Sequence, residues 1–193
     1  MSVNHEDRSN GWEAVAPAFL KNSTVGVETM QAWARTLPQG ASVLDLGCGP
    51  GSPRSRVLID EGFNVYAVDA SPSMAHEYQR SFPNASVACE AAEESSFFDR
   101  KFDAVVAWGL LFLLPEQTQR TIIHRVAQAL KQGGRFLFTA PTQKCTWADN
   151  STRRLSLSLG IDAYTSILDE AKLKLIAEYT DEGENHYYDA VKL

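Results

Sequence analysis

A chain of 193 residues, 44% of them hydrophobic, can bury roughly 70% of the surface its unfolded form exposes, and this points to one domain. Its 18 basic and 24 acidic residues leave a net charge of -6, with no basic cluster larger than Arg153-Arg154, which argues against a nucleic-acid partner. Cys48, Cys89 and Cys145 show no C-x-x-C spacing and no apolar run reaches a membrane span, so a disulfide framework, a zinc site and a transmembrane anchor are all unexpected.

Residues 1 to about 10 are polar, with no apolar core, so they read as a loosely held terminus and not as a signal peptide. The expected setting is the reducing cytoplasm. Trp12, Val15, Phe19 and Leu20 form a stripe at helical spacing between residues 11 and 20, limited by Pro17. Val27, Met30, Ala34 and Leu37 mark a second helix, stopped by Pro38-Gln39-Gly40. Both helices are expected chiefly to pack against a sheet, with covering a cofactor as the alternative.

Val43-Leu44-Asp45-Leu46 then runs into the loop Gly47-Cys48-Gly49-Pro50-Gly51. A short buried strand, a glycine turn and a helix opening near Ser52-Pro53 is the pattern that holds the anionic part of a cofactor. Ser52 is expected to cap that helix with Pro53 at its first position, and Gly62 to end it. A dinucleotide fingerprint, G-x-G-x-x-G, would need glycine at position 52. The chain has Ser52 there and reads G-x-G-x-G instead.

The run V-L-D-L-G-C-G-P-G over residues 43–51 resembles motif I of the class I S-adenosylmethionine-dependent methyltransferases. The resemblance implies an α/β fold: a Rossmann-like three-layer sandwich on a seven-stranded, mostly parallel sheet whose last strand is antiparallel. It also implies one methyltransferase domain, with residues 1–40 as a helical cap and 41–193 as the core. S-adenosylmethionine is the implied cofactor, S-adenosylhomocysteine the product, and no metal is required.

Asn64 to Asp69 reads as the second strand, ending in a carboxylate at the sheet edge where ligands of open α/β sheets lie. Asp69 can accept from both hydroxyls of a ribose, or it can cap the helix starting at Ser71-Pro72. Met74, Tyr78 and Phe82 form the core stripe of that helix, and Ala85 to Cys89 a third strand. By the resemblance, Glu90 takes the adenine amino group and Ala91 offers a backbone N-H to the ring, whereas Glu93 and Glu94 read as a solvated face. The cofactor contacts implied are Asp45, Gly47, Cys48, Gly49, Gly51, Asp69, Ala70, Glu90, Ala91 and Trp108.

Ala104 to Trp108 is an unbroken apolar strand of the kind buried in a parallel sheet, and Trp108-Gly109-Leu110 matches the motif IV region. Trp108 suits the adenine or the methyl-transfer pocket as well as it suits plain core. Leu111 to Leu114 supply no general base. A helix from Pro115 to Leu130 follows, and Gln132-Gly133-Gly134 turns into a fifth strand. Residues 141–160 read as a long irregular loop lining the acceptor pocket. A helix near 162–171 precedes strands near 173–179 and 186–191, joined by an acidic turn as an antiparallel hairpin.

Candidates for the acceptor side are Trp108, Trp147, Asp149, His186 and Tyr187, with no catalytic residue identified. Cys145 reads as apolar filler, because direct methyl transfer needs no enzyme nucleophile. A small-molecule acceptor is expected. The alternatives are a protein acceptor, a nicotinamide-dependent oxidoreductase, or a noncatalytic S-adenosylmethionine-binding protein.

Overall fold

The computed structural model describes residues 7–19 and 24–193. The expectation for residues 1–6, the side chain of Phe19 and Leu20 lie outside the described residues. Seven strands form one sheet: β1 (Ser42–Leu46), β2 (Asn64–Asp69), β3 (Ser86–Cys89), β4 (Phe102–Ala107), β5 (Leu130–Thr139), β8 (Leu173–Thr180) and β9 (His186–Lys192). Their order is β3-β2-β1-β4-β5-β9-β8. β1 pairs in parallel with both β2 and β4, whereas β9 is antiparallel to β5 and β8. The final strand therefore runs against the other six. The strand order reverses between β1 and β4, which opens a crevice at their carboxyl ends.

Continuous apolar strands make sense here because successive side chains enter opposite layers, both covered by helices. Val43 and Val106 face a cluster with Met30 and Trp33 of α2 (Val27–Ala34) and Leu58 of α3 (Arg54–Asp60). Leu44 and Val105 face a cluster with Ile122 and Val126 of α5 (Glu116–Ala129) and Tyr164 and Ile167 of α6 (Ile161–Glu170). The result is the three-layer sandwich.

Three local expectations change. α3 begins at Arg54 with Pro53 at its N-cap and no side-chain cap bond, so Ser52 is not its cap. α1 (Trp12–Phe19) packs chiefly on α4 (Pro72–Ser81), where packing on the sheet was expected. Glu13 fixes it there, accepting from the hydroxyls of Ser71 and Ser73 and from the Ser73 N-H. Glu13→Ala is expected to cost about 1 kcal/mol in urea denaturation, since these bonds exchange with water.

The third change concerns residues 141–160, which contain a hairpin of β6 (Cys145–Ala148) and β7 (Leu155–Ser158). Asp149 closes its turn by accepting from the N-H groups of Ser151 and Thr152 and from the Thr152 hydroxyl. The Leu-Ser-Leu-Ser alternation has strand period, but its polarity is inverted. Ser156 and Ser158 are buried whereas Leu155 is 68% exposed, so a hydrophobic-inward pattern does not find it.

Candidate functional site

The glycine loop is pinned to β2. Gly47 and Cys48 both donate to the Val68 carbonyl, and the Gly49 N-H donates to Asp69 Oδ2 at 2.8 Å. Gly51 lies at φ 82° against α4, where a Cβ would come within 2.5 Å of the Phe82 ring and 2.6 Å of Tyr78. Only glycine permits that approach. The loop thus stands between α4 and the open crevice.

Asp69 Oδ1 accepts from the Ser71 N-H at 2.9 Å, so each carboxylate oxygen holds one backbone donor and keeps acceptor capacity. Burial raises its pKa, and the Ser71 and Gly49 N-H groups pull the other way. Ser71 Oγ, in turn, caps α4 by accepting from the Met74 N-H. Asp69 itself does not cap that helix through a side-chain bond to its first turn. One strand over, the Glu90 N-H donates to the Asp69 carbonyl. Among the described residues neither the Glu90 carboxylate nor the Ala91 N-H has a hydrogen-bond partner.

A cleft of about 520 Å³ runs across these strand ends. Asp45, Gly47, Cys48, Gly49, Gly51, Asp69, Ala70, Glu90, Ala91 and Trp108 all line it. Sequence reasoning missed part of its wall. Ser9, Asn10, Trp12 and Ala18 close one side, and Leu110, Phe112, Leu113 and Leu114 supply an apolar one. Asn10 is clipped to the Leu113 carbonyl at 2.7 Å, and Asp7 accepts from Arg154 of the β6–β7 hairpin at 2.8 Å. Glu93, read as solvated, also borders the cleft, while Glu94 pairs with Arg8.

Arg54 is the other missed residue. Its guanidinium lies over the Trp108 ring, 3.1 Å from the centroid, and the Trp108 indole N-H donates to Tyr187 Oη at 2.7 Å. An arginine directly behind a glycine loop was the signal available. Asp45 is buried beneath the loop and accepts from Ser55 Oγ. Burial lifts its carboxyl to about 6, against the pull of Ser55 and Arg54. The Cys48 thiol is pushed well up, chiefly by burial, which disfavours its thiolate.

The acceptor-side candidates separate. Trp108 lines the cleft, and Asp149 borders both it and a second cavity of about 300 Å³. Trp147, tilted against Phe112 with ring centroids 5.4 Å apart, and His186 line that second cavity. His186 is bonded across the final hairpin to Glu178 at 2.8 Å, a partner invisible in sequence. Tyr187 is a correction: it is fully buried and donates to Asp181 at 2.8 Å, so it faces no acceptor.

An adenosyl group suits this cradle. A glycine loop, a half-satisfied carboxylate and an unpartnered carboxylate with a free N-H converge on one cleft of ligand size. Residues 43–134 match the methyltransferase domain family. Over that region the chain is similar to the class I S-adenosylmethionine-dependent methyltransferases. It is 33% identical over 136 residues to the cypemycin N-terminal methyltransferase of a Streptomyces species, covering 68% of this chain and 55% of that one. Identity to the ubiquinone biosynthesis O-methyltransferase of Xanthomonas axonopodis pv. citri is 29% over 191 residues, covering 94% and 69%.

Among solved structures, the 1,6-didemethyltoxoflavin-N1-methyltransferase of Burkholderia thailandensis superposes with a TM-score of 0.67 at 19% identity, covering 100% of this chain and 91% of that one. That enzyme was determined with 1,6-didemethyltoxoflavin and S-adenosylhomocysteine bound. The chain spans 30% and 55% of the lengths of the first two curated relatives it matches. Among the described residues no group of three or more His, Cys, Asp or Glu is placed to hold a metal, and no helix is long and apolar enough to cross a membrane.

Proposed function

We propose that this chain transfers the methyl group of S-adenosylmethionine to a small-molecule acceptor in the cytoplasm, with residues 41–193 as the core and the helical segment before them as a cap. The observation that carries it is the convergence of the glycine loop, Asp69 and Glu90, from the ends of three adjacent strands, on one cleft. When bound, S-adenosylmethionine supplies a methyl already activated by positive charge on sulfur.

The residues then have simple tasks. Asp69 takes the ribose hydroxyls, Glu90 the adenine amino group and the Ala91 N-H a ring nitrogen. Leu110, Phe112, Leu113 and Leu114 exclude water beside them, and Trp108 borders the space where an acceptor atom would be aligned. The 3-10 turn after β4 offers no base, and His186 is engaged by Glu178. An acceptor that needs no deprotonation, or one whose proton leaves to water, suits this wall. The names of the ubiquinone and toxoflavin relatives support a small acceptor. A peptide amino terminus is the second reading, favoured by the likeness to the cypemycin enzyme.

Calorimetric titration tests the cofactor: S-adenosylhomocysteine binds, whereas binding of NAD alone overturns the proposal. Labelled methyl transfer across phenols, quinols, amines and peptide amino termini then separates the two acceptor readings. The hairpin makes its own prediction. Trp147→Ala and Asp149→Ala are expected to raise the acceptor KM about tenfold and leave cofactor affinity nearly intact, the loss of roughly one good contact. If only cofactor affinity moved, the hairpin would not be an acceptor wall.

A further inference from the structure

We propose that the methyl acceptor carries a cationic amino group and that the second cavity, beside the cofactor cleft, anchors it. This cavity lies between the end of β5 and the start of β9, and Phe112 of the 3-10 turn after β4 and Trp147 of the β6–β7 hairpin close it. Phe112 and Asp149 line the cofactor cleft as well, so the two spaces are adjacent. Gly47, Asp69, Glu90 and Trp108 line only the cleft. A group held in the second cavity therefore stands apart from the reacting atom of the same molecule, which would lie beside Trp108.

The lining selects a cation. Phe112 and Trp147 are both half-buried, and their rings meet at 46° with centroids 5.4 Å apart, which makes a corner with aromatic surface on two sides. The faces of such rings attract an ammonium. Asp149 and Glu184 add two carboxylates. Asp149 closes the hairpin turn with Oδ1 alone, and among the described residues its Oδ2 accepts no hydrogen bond. The Glu184 carboxylate likewise has no hydrogen bond or ion pair among the described residues. No lysine or arginine among those residues lines the cavity, and the His186 ring is bonded to Glu178, where an imidazolium charge would be balanced.

The cation nearest in sequence is used elsewhere. Arg154 belongs to the same hairpin turn as Asp149, yet its guanidinium goes to Asp7 and leaves the Asp149 Oδ2 open. An anionic acceptor would meet repulsion from both carboxylates, and a neutral one would leave their charge unanswered. An ammonium bonds the carboxylates and lies against the rings at once. The inference rests on the methyltransferase reading and narrows its acceptor to an amine. Such an ammonium has two sources, a small aromatic or aliphatic amine and the amino terminus of a peptide.

The test titrates 2-phenylethylamine, its neutral counterpart 2-phenylethanol and the anion phenylacetate into the protein loaded with S-adenosylhomocysteine. The wild type is expected to bind the amine about tenfold more tightly than the alcohol, and phenylacetate more weakly than either. Asp149→Asn, which keeps the Oδ1 acceptor that closes the turn, and Glu184→Gln each lower amine affinity about three- to tenfold and leave the alcohol unchanged. Phenylalanine amide separates the sources: binding tighter than that of 2-phenylethylamine assigns the ammonium to a peptide amino terminus, and weaker binding assigns it to a small amine.

Equal affinity for amine and alcohol, no binding of any probe, or an amine preference that survives both substitutions overturns the proposal. So does a variant that loses amine and alcohol together, because a charge anchor predicts a selective loss. Retained S-adenosylhomocysteine binding shows that the variants fold. A wild type that does not bind S-adenosylhomocysteine removes the methyltransferase reading, and the same probes titrated into the unliganded protein then still decide whether the cavity takes an ammonium.

Discussion

Asp69→Ala is expected to weaken S-adenosylhomocysteine binding by about 2 to 4 kcal/mol, the scale of losing two charge-assisted hydrogen bonds. The structure adds a second route to that loss. The same carboxylate tethers the glycine loop through the Gly49 N-H and the start of α4 through the Ser71 N-H. Alanine removes both tethers, so the loop would lose its registration against β2 as well as the ribose acceptor proposed for Asp69. Asp69→Asn separates the two contributions, because an amide oxygen retains one acceptor and half of the pattern. Calorimetry is expected to place Asn between wild type and Ala. Unchanged affinity in Asp69→Ala would remove this residue from the site.

Asp45→Asn is expected to stabilise the protein by about 1 to 3 kcal/mol at pH 8 while weakening cofactor binding. Burial raises the Asp45 carboxyl to about 6 from an ordinary value of 3.8. The folded chain thus holds this proton more tightly than the unfolded chain does. The stability linked to it is fully present below about pH 4 and is lost as pH rises through 6, an upper bound of roughly 3 kcal/mol. Asparagine never ionises and its amide oxygen still accepts from Ser55. Urea denaturation at pH 8 and pH 4 checks this: the advantage of the variant should be present at the first and absent at the second. A variant less stable at both would mean that the charged form is well solvated where it stands.

A buried charge beneath a ligand loop is the kind of strain that functional sites retain at the expense of stability. Arg54 belongs with it. Both lie on or next to the turn from β1 into α3: burial raises the Asp45 carboxyl, and the Arg54 Nε has no hydrogen-bond partner among the described residues. Trp108 is different, because its polar edge is satisfied by Tyr187 while the residue lines the cleft.

Much of this molecule is local in origin. The apolar runs of β1 and β4, the glycines after β1 and the carboxylate ending β2 each read directly from neighbouring residues, since strand burial, turn chemistry and capping depend on short segments. The seven-stranded order with its antiparallel last strand followed from the family resemblance and the tight turn between β8 and β9. The placement of Asp69 and Glu90 at one sheet edge followed from the same parallel topology, in which successive strand ends share an edge.

The remaining features depend on residues far apart in the chain, and no local pattern contains them. The N-terminal wall exists because Glu13 meets Ser71 and Ser73 and Asp7 meets Arg154. The β6–β7 hairpin escaped notice because its inward residues are serines. Tyr187 looked available beside His186, yet strand alternation turns it into the core while His186 remains at the edge. Val43 to Gly51 determined by itself the strand and the turn, and its resemblance to motif I implied the cofactor. Only tertiary packing decided that Arg54 would lie over Trp108 behind that loop, its Nε without a partner among the described residues, because the Tyr187 and Asp181 that fix the floor, and the Ser55 that occupies Asp45, meet it in space alone.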